Sequence, residues 1–160
     1  MELSNTTKWS KLGHIPVDWD VLSIEEVAQI KNGLTYSPSN VSKNGTLVLR
    51  SSNIQDDRLS FINNVFVKCS VPEKYRVEEG DILICVRNGS RNLIGKCALI
   101  NEKVDGEAFG AFMAVLRSDM SDYLIWQFRS SIMQKQIYEH LGATINQITN
   151  SSLKGFKVIL

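Results

Sequence analysis

Three polar segments carry the side chains that could do chemistry: Arg50-Ser51-Ser52-Asn53, Arg87-Asn88-Gly89-Ser90-Arg91 and Asn146-Gln147-Ile148-Thr149-Asn150. None of them sets a nucleophile beside a base. Their common vocabulary is that of nucleic-acid recognition. Arginine can grip guanine through two hydrogen bonds, asparagine and glutamine can do the same for adenine, and serine or threonine can hold phosphate oxygens. The competing reading is that Asn, Ser and Gly form turns and that the arginines are solvated. The segment at Arg87 weighs against it, because two arginines around a Gly-Ser tip exceed what a hairpin turn requires.

A catalytic constellation does not emerge. His14 and His140 each stand alone, and the acidic residues are scattered without a nuclease-like grouping. The motifs G-x-S-x-G, G-x-G-x-x-G, H-E-x-x-H and the Walker phosphate loop do not occur, nor does an Asn- or Asp-Pro-Pro-aromatic stretch. Cys69, Cys85 and Cys97 form no C-x-x-C pair and are odd in number. They read as reduced, mostly buried thiols, with Cys85 and Cys97 able to face each other across a hairpin. The expectation is a binding module with no cofactor, no metal and no catalytic residue.

The chain has 160 residues, 43% of them hydrophobic and 22% charged, which argues for one globular domain with its own core. No apolar run approaches the roughly 20 residues of a membrane helix, and the polar start lacks the apolar centre of a signal peptide. A soluble, cytoplasmic protein is expected. The net charge of +1 means that any positive patch must be local. Charge is unevenly placed: Glu73, Glu78, Glu79 and Asp81 precede Arg87, Arg91 and Lys96, and no further acid follows until Glu102.

The elements that must position these segments follow from periodicity. Residues 12–19 read as an irregular lead-in. Ser23 and Glu26 form a capping box, so a short helix begins at Ser23 and is broken by Asn32-Gly33. Residues 46–50, 64–68, 81–86, 94–100, 108–117 and 155–160 read as strands. Residues 37–45 and 51–57 read as loops, and Asn88-Gly89 is expected to supply positive φ to a hairpin between the strands at 81–86 and 94–100. From residue 120 to 141 apolar residues recur at helical spacing and Gly142 is a natural stop. The predicted class is α+β: a twisted mixed or antiparallel sheet, one long C-terminal helix and short helices.

Leu12-Gly13-His14-Ile15-Pro16-Val17-Asp18-Trp19 resembles the Gly-x-Ile-Pro-x-x-Trp opening of target recognition domains in the specificity subunits of type I restriction-modification systems. Gly33-Leu34-Thr35, Gly80-Asp81-Ile82-Leu83-Ile84, Arg87-Asn88-Gly89-Ser90, Ile94-Gly95-Lys96, Phe109-Gly110-Ala111-Phe112-Met113 and Thr144-Ile145-Asn146-Gln147-Ile148-Thr149 follow in the family's order. The resemblance runs over residues 12–160, with residues 1–11 as a lead-in. It implies sequence-specific reading of one half of a split double-stranded DNA site. It also implies partners: methyltransferase subunits, the restriction subunit through them, and a second recognition domain in the same or another chain. The family's coiled-coil spacer helix is absent from this sequence, so a fragment, an excised domain or a half-length subunit is expected.

On that reading Arg87, Asn88, Ser90 and Arg91 are the leading candidates for DNA contact, with Lys96 at the phosphate backbone. Thr35, Arg50, Ser52, Asn53, Asn146 and Gln147 form a second tier. Gly33, Gly80, Asp81 and Gly95 read as structural. The alternative is a protein-interaction module whose polar loops read no bases.

Overall fold

Ile82, Leu83, Ile84 and Cys85 are all fully enclosed, with 0% exposure each. A continuous apolar run of strand length predicts a strand covered on both faces, and the computed structural model, which describes residues 6–142 and 146–160, places it at the centre of the molecule. In chain order the strands and helices are β1 (Thr7–Ser10), β2 (Gly13–Pro16), β3 (Val21–Ser23), α1 (Ile24–Val27), β4 (Gln29–Asn32), β5 (Val41–Ser42) and β6 (Thr46–Leu49). There follow β7 (Ile54–Gln55), β8 (Arg58–Leu59), β9 (Phe66–Val67), β10 (Ile82–Cys85), β11 (Cys97–Leu99), β12 (Ala108–Phe109) and β13 (Met113–Arg117). The chain closes with α2 (Ser121–Arg129), α3 (Ser131–Leu141), α4 (Asn150–Gly155) and β14 (Lys157–Ile159). This is the expected α+β class.

The central sheet runs β11-β10-β13-β4 and is antiparallel throughout. A second sheet, β12-β6-β9-β5, contains one parallel pair, β12 with β6. The side-chain period of two divides the core. Ile82, Ile84, Cys97, Ala114 and Leu116 face the helices, where Leu124, Ile125, Phe128, Met133 and Ile137 meet them. Leu83, Cys85, Ala98, Met113 and Val115 face the second sheet, where Leu47, Leu49 and Phe109 meet them together with Ile54 of β7. The same period separates two cysteines expected to face each other. Cys97 pairs with Ile84, so Cys85, one residue on, points to the opposite core.

Other expectations change in detail. Residues 12–19 are irregular only in part: Gly13–Pro16 form β2 and pair with β1 in a hairpin. The capping box at Ser23 is present, with the Ser23 N–H donating to the Glu26 carboxylate at 2.7 Å and holding that carboxyl below its usual range. The helix it starts is one turn long, and the next residues form β4 instead of continuing it. The single long helix over 120–141 is two helices, because Ser130 adopts φ −70°, ψ 154° and its hydroxyl donates to Gln127 O at 2.6 Å. It thereby ends α2 and caps α3, and the buried positions step from Phe128 to Met133, five apart instead of four. The strand over 108–117 is interrupted at residues 110–112. Positive φ between β10 and β11 falls at Gly95, not at Asn88 or Gly89. Ala143, Thr144 and Ile145 lie outside the described residues.

The central sheet has two unlike ends. β10 and β4 run antiparallel to β13, so residues 78–81, 117–119 and 25–29 gather at one end and residues 86–88, 112 and 33–35 at the other. The two are about 14 Å apart along β13 at 3.4 Å per residue. The first end forms a groove of about 710 Å³ lined by Glu25, Glu26, Glu78, Glu79, Asp81, Asp119 and Asp122. Arg117 is its one basic lining residue. Its guanidinium grips the buried Asp81 through Nε and Nη2, each at 2.8 Å, and Glu78 through Nη1 at 2.6 Å. These bonds, Asp81 first, push the Arg117 pKa up. At the other end Gly33 lies so close to the 109–111 segment that a Cβ built on it would stand 1.9 Å from Gly110 O.

Four outcomes follow from this packing. Gly33→Ala is expected to cost about 3 kcal/mol, the upper range of overpacking, because backbone rather than a flexible side chain must move; urea unfolding measures it. Asp81→Ala is expected to cost about 2 kcal/mol by the same assay, less than a fully buried pair, because Arg117 is 25% exposed and keeps Glu78. Burial pushes the Cys97 thiol up to about 11 and raises Cys85 from 9.0. Alkylation of the native chain at pH 8 should therefore mark the half-buried Cys69 and spare both until unfolding. The unfolded chain ionises first as pH rises from about 9, so stability should fall between there and about 11.

Candidate nucleic-acid interface

The three polar segments are drawn to one place by backbone and side-chain hydrogen bonds. Where β10 ends, the N–H groups of Val86 and Arg87 both donate to Phe112 O, at 3.0 and 3.1 Å. Residues 146–148 lie against this exit. Ile148 N–H donates to Val86 O at 2.7 Å, Arg87 and Gln147 form an antiparallel bridge, and Asn88 N–H reaches Asn146 O at 3.4 Å. Asn146 Nδ2 returns a bond to Gly89 O at 3.3 Å. The second and third segments are thus one unit. Asn88 ties in the first: its Nδ2 donates to Ser51 Oγ at 3.2 Å, while its Oδ1 accepts from Ser90 N–H at 2.8 Å.

Beside this junction lies a cleft of about 380 Å³. Leu34, Gly110, Ala111 and Met113 line it with the polar Thr35, Arg50, Ser51, Ser52 and Asn63 and the rings of Tyr36 and Phe112. The lining contains one arginine and no carboxylate. Arg50 Nη2 donates to Asn63 Oδ1 at 3.3 Å, and its buried Nε has no partner in the described structure. Arg87 is exposed, and its guanidinium lies 4.9 Å from the centre of the Phe112 ring. Phe112 itself is 54% exposed, so the ring serves as a platform rather than as core. A cation over the ring face is attracted to it without consuming its N–H donors. The arrangement presents oriented N–H and O–H donors on a locally positive surface, which suits phosphate oxygens and purine edges.

The sequence candidates separate into two groups. Arg87, Asn88, Ser90, Thr35, Arg50, Ser52, Asn146 and Gln147 converge around the cleft and the junction beside it. Asn88 and Asn146 act there by positioning, since their amides are bonded within the protein. Arg91, Lys96 and Asn53 have internal partners. Arg91 donates through Nη1 to Gly142 O at 2.7 Å and through Nη2 to Tyr138 O at 3.2 Å, closing the C-terminus of α3. Lys96 Nζ donates to Ile54 O at 2.8 Å. Asn53 is buried; its Oδ1 accepts from Arg50 N–H at 2.9 Å, and its Nδ2 donates to Ser60 O and Asn64 Oδ1, each at 3.0 Å.

Tyr36, Ser51, Asn63 and Phe112 were not among the candidates. A signal existed for Phe112: it stands three residues after Phe109, which sits in the core, so a period of two puts the two rings on opposite faces. Nothing in the sequence separates Asn63 from its polar neighbours. Among the described residues, no three His, Cys, Asp or Glu side chains gather to hold a metal ion, and no helix is long and apolar enough to cross a membrane.

Comparison with known proteins agrees with this architecture. Over 150 residues the chain is 31% identical to the EcoKI specificity subunit of a type I restriction enzyme from Escherichia coli K12, covering 88% of this chain and 32% of that one. It is 30% identical to the putative MjaX specificity subunit of a type I restriction enzyme from Methanocaldococcus jannaschii, over 96% of this chain and 38% of that one. The chain therefore spans about a third of the length of these relatives. The crystal structure of the HsdS subunit from Thermoanaerobacter tengcongensis shares the fold, with a TM-score of 0.67 at 19% identity, covering 97% of this chain and 36% of that one. Residues 16–160 match the family model of the type I restriction modification DNA specificity domain, and the chain belongs to that family.

Proposed function

We propose that residues 12–160 form one recognition domain that reads one half of a bipartite double-stranded DNA site for a type I restriction-modification complex. In this reading the chain supplies recognition only. Methyl transfer belongs to methyltransferase subunits, cleavage to a restriction subunit joined through them, and the other half-site to a second recognition domain in the same or another chain. The work is done on cellular DNA in the cytoplasm. The observation that carries the reading is the convergence of all three polar segments on one end of the central sheet, around a cleft without a carboxylate, in a chain of this family.

Each side chain has a task in this scheme. Arg87, placed over the Phe112 ring, is the leading base reader; a guanidinium held near one position loses less entropy when two hydrogen bonds form on a guanine edge. Thr35, Ser52 and Ser90 offer hydroxyls to phosphate oxygens, and Arg50 can exchange its long bonds to Asn63 for shorter ones to DNA. Asn88 and Asn146 hold the junction. Arg91 and Lys96 are struts beneath it. The acidic groove at the far end of the sheet disfavours approach of a polyanion from that side.

The test contrasts two arginines of one loop in the assembled complex. Arg87→Ala should leave unfolding within about 0.5 kcal/mol of the parent. It should cost about 1–3 kcal/mol in discrimination between cognate and single-mismatch DNA, measured as methylation rates. If Arg87 holds only a phosphate, all sequences weaken alike and the salt slope falls by about one unit. Arg91→Ala should instead cost about 1–2 kcal/mol of stability, since it removes charged hydrogen bonds to the end of α3, and leave specificity unchanged. Unchanged activity and specificity in Arg87→Ala would overturn the assignment.

A further inference from the structure

Ile62 is 94% exposed, more than any other large apolar side chain of the described residues. Singly exposed apolar residues are common and need no explanation, but the loop carrying this one is braced. Asn64 Nδ2 donates to Phe61 O at 3.0 Å and closes the turn. From beneath, the buried Asn53 holds Ser60 O and Asn64 Oδ1, and its own carbonyl accepts from Ser60 N–H at 2.8 Å. Asn63, the next residue along, lines the cleft and accepts from Arg50 and Ser52. A tip held at this many points has no use for an isoleucine in folding, since the side chain reaches neither core. Its β-branch is stiff, so little rotamer freedom is lost on contact.

We propose that Ile62 is a specificity residue of the same interface and makes an apolar contact with the 5-methyl group of a thymine in the major groove. The inference rests on the DNA-reading assignment above. Isoleucine offers no donor or acceptor, and the thymine methyl is the apolar group that base edges present in that groove. Asn63, next to it in the chain, and the Arg50 and Ser52 that bond to Asn63 are hydrogen-bonding residues suited to the polar edges beside such a methyl, and no carboxylate lines the cleft those three share.

The test uses the assembled methyltransferase complex and duplexes of its modified site in which each thymine of the half-site is replaced in turn by deoxyuridine. At one position the parent should bind about fourfold more weakly, the worth of one buried methyl group. Ile62→Ala should melt at the parent's temperature, bind the thymine site about fourfold more weakly, and lose nothing further with deoxyuridine there. Unchanged binding by Ile62→Ala overturns the proposal. So does a loss that adds to the deoxyuridine effect at every position, which would mark a wedge between base pairs or a contact with a partner subunit. So does a half-site without thymine. If the parent complex shows no sequence preference, the DNA-reading assignment itself falls.

Discussion

A four-residue strand covered on both faces leaves no lateral room for polar chemistry. β10 has a core on each side and β11 and β13 along its edges, so each of its backbone groups is spent on the sheet and each side chain on packing. Burying a charged or unpaired polar group there would cost several kcal/mol. Polar function is therefore confined to the strand ends, and the two ends differ. One holds Asp81, whose carboxylate is buried and matched by Arg117; the other releases the chain at Arg87.

This constraint explains how a chain with a net charge of +1 can present a surface suited to a polyanion. The sheet's antiparallel order sorts charge by chain direction. Segments entering β10 and leaving β13 bring Glu78, Glu79, Asp81 and Asp119 to one end, while segments leaving β10 and β4 bring Arg87 and Thr35 to the other. Separation over about 14 Å exceeds the screening length of roughly 8 Å at physiological salt. Each end thus presents its own local field, and the total charge is a poor guide to either.

The end that carries the cleft is braced because much of its polar inventory points inward. Asn53, Asn88, Asn146, Arg91 and Lys96 spend their side chains on backbone carbonyls, on Ser51 and on each other's loops. Such bonds hold three irregular segments at fixed mutual positions without apolar packing. The groups left outward are then few and oriented, which favours discrimination over raw affinity.

Much of this protein was legible from residue order alone. The apolar run at β10, the capping box at Ser23 and the Asn-Ser-Arg segments each report local physics, and they yielded the α+β class, the core strand and the three polar loops. Chain neighbours decide those features. Which member of a polar loop faces outward is decided by partners far along the chain. Arg91 and Arg87 have similar surroundings in sequence, yet one meets Gly142 and Tyr138 across 51 and 47 residues and the other meets the ring of Phe112. Asn53 reads as a base-contact candidate and is instead a buried brace, because Ser60 and Asn64 fold back over it. The break at Ser130 was hidden for the same reason, since apolar spacing continues across it and only the packing of α2 against α3 shows the turn. Periodicity encodes burial against a surface, whereas the fate of a single hydrogen-bonding side chain depends on which carbonyl the tertiary fold places within about 3 Å of it.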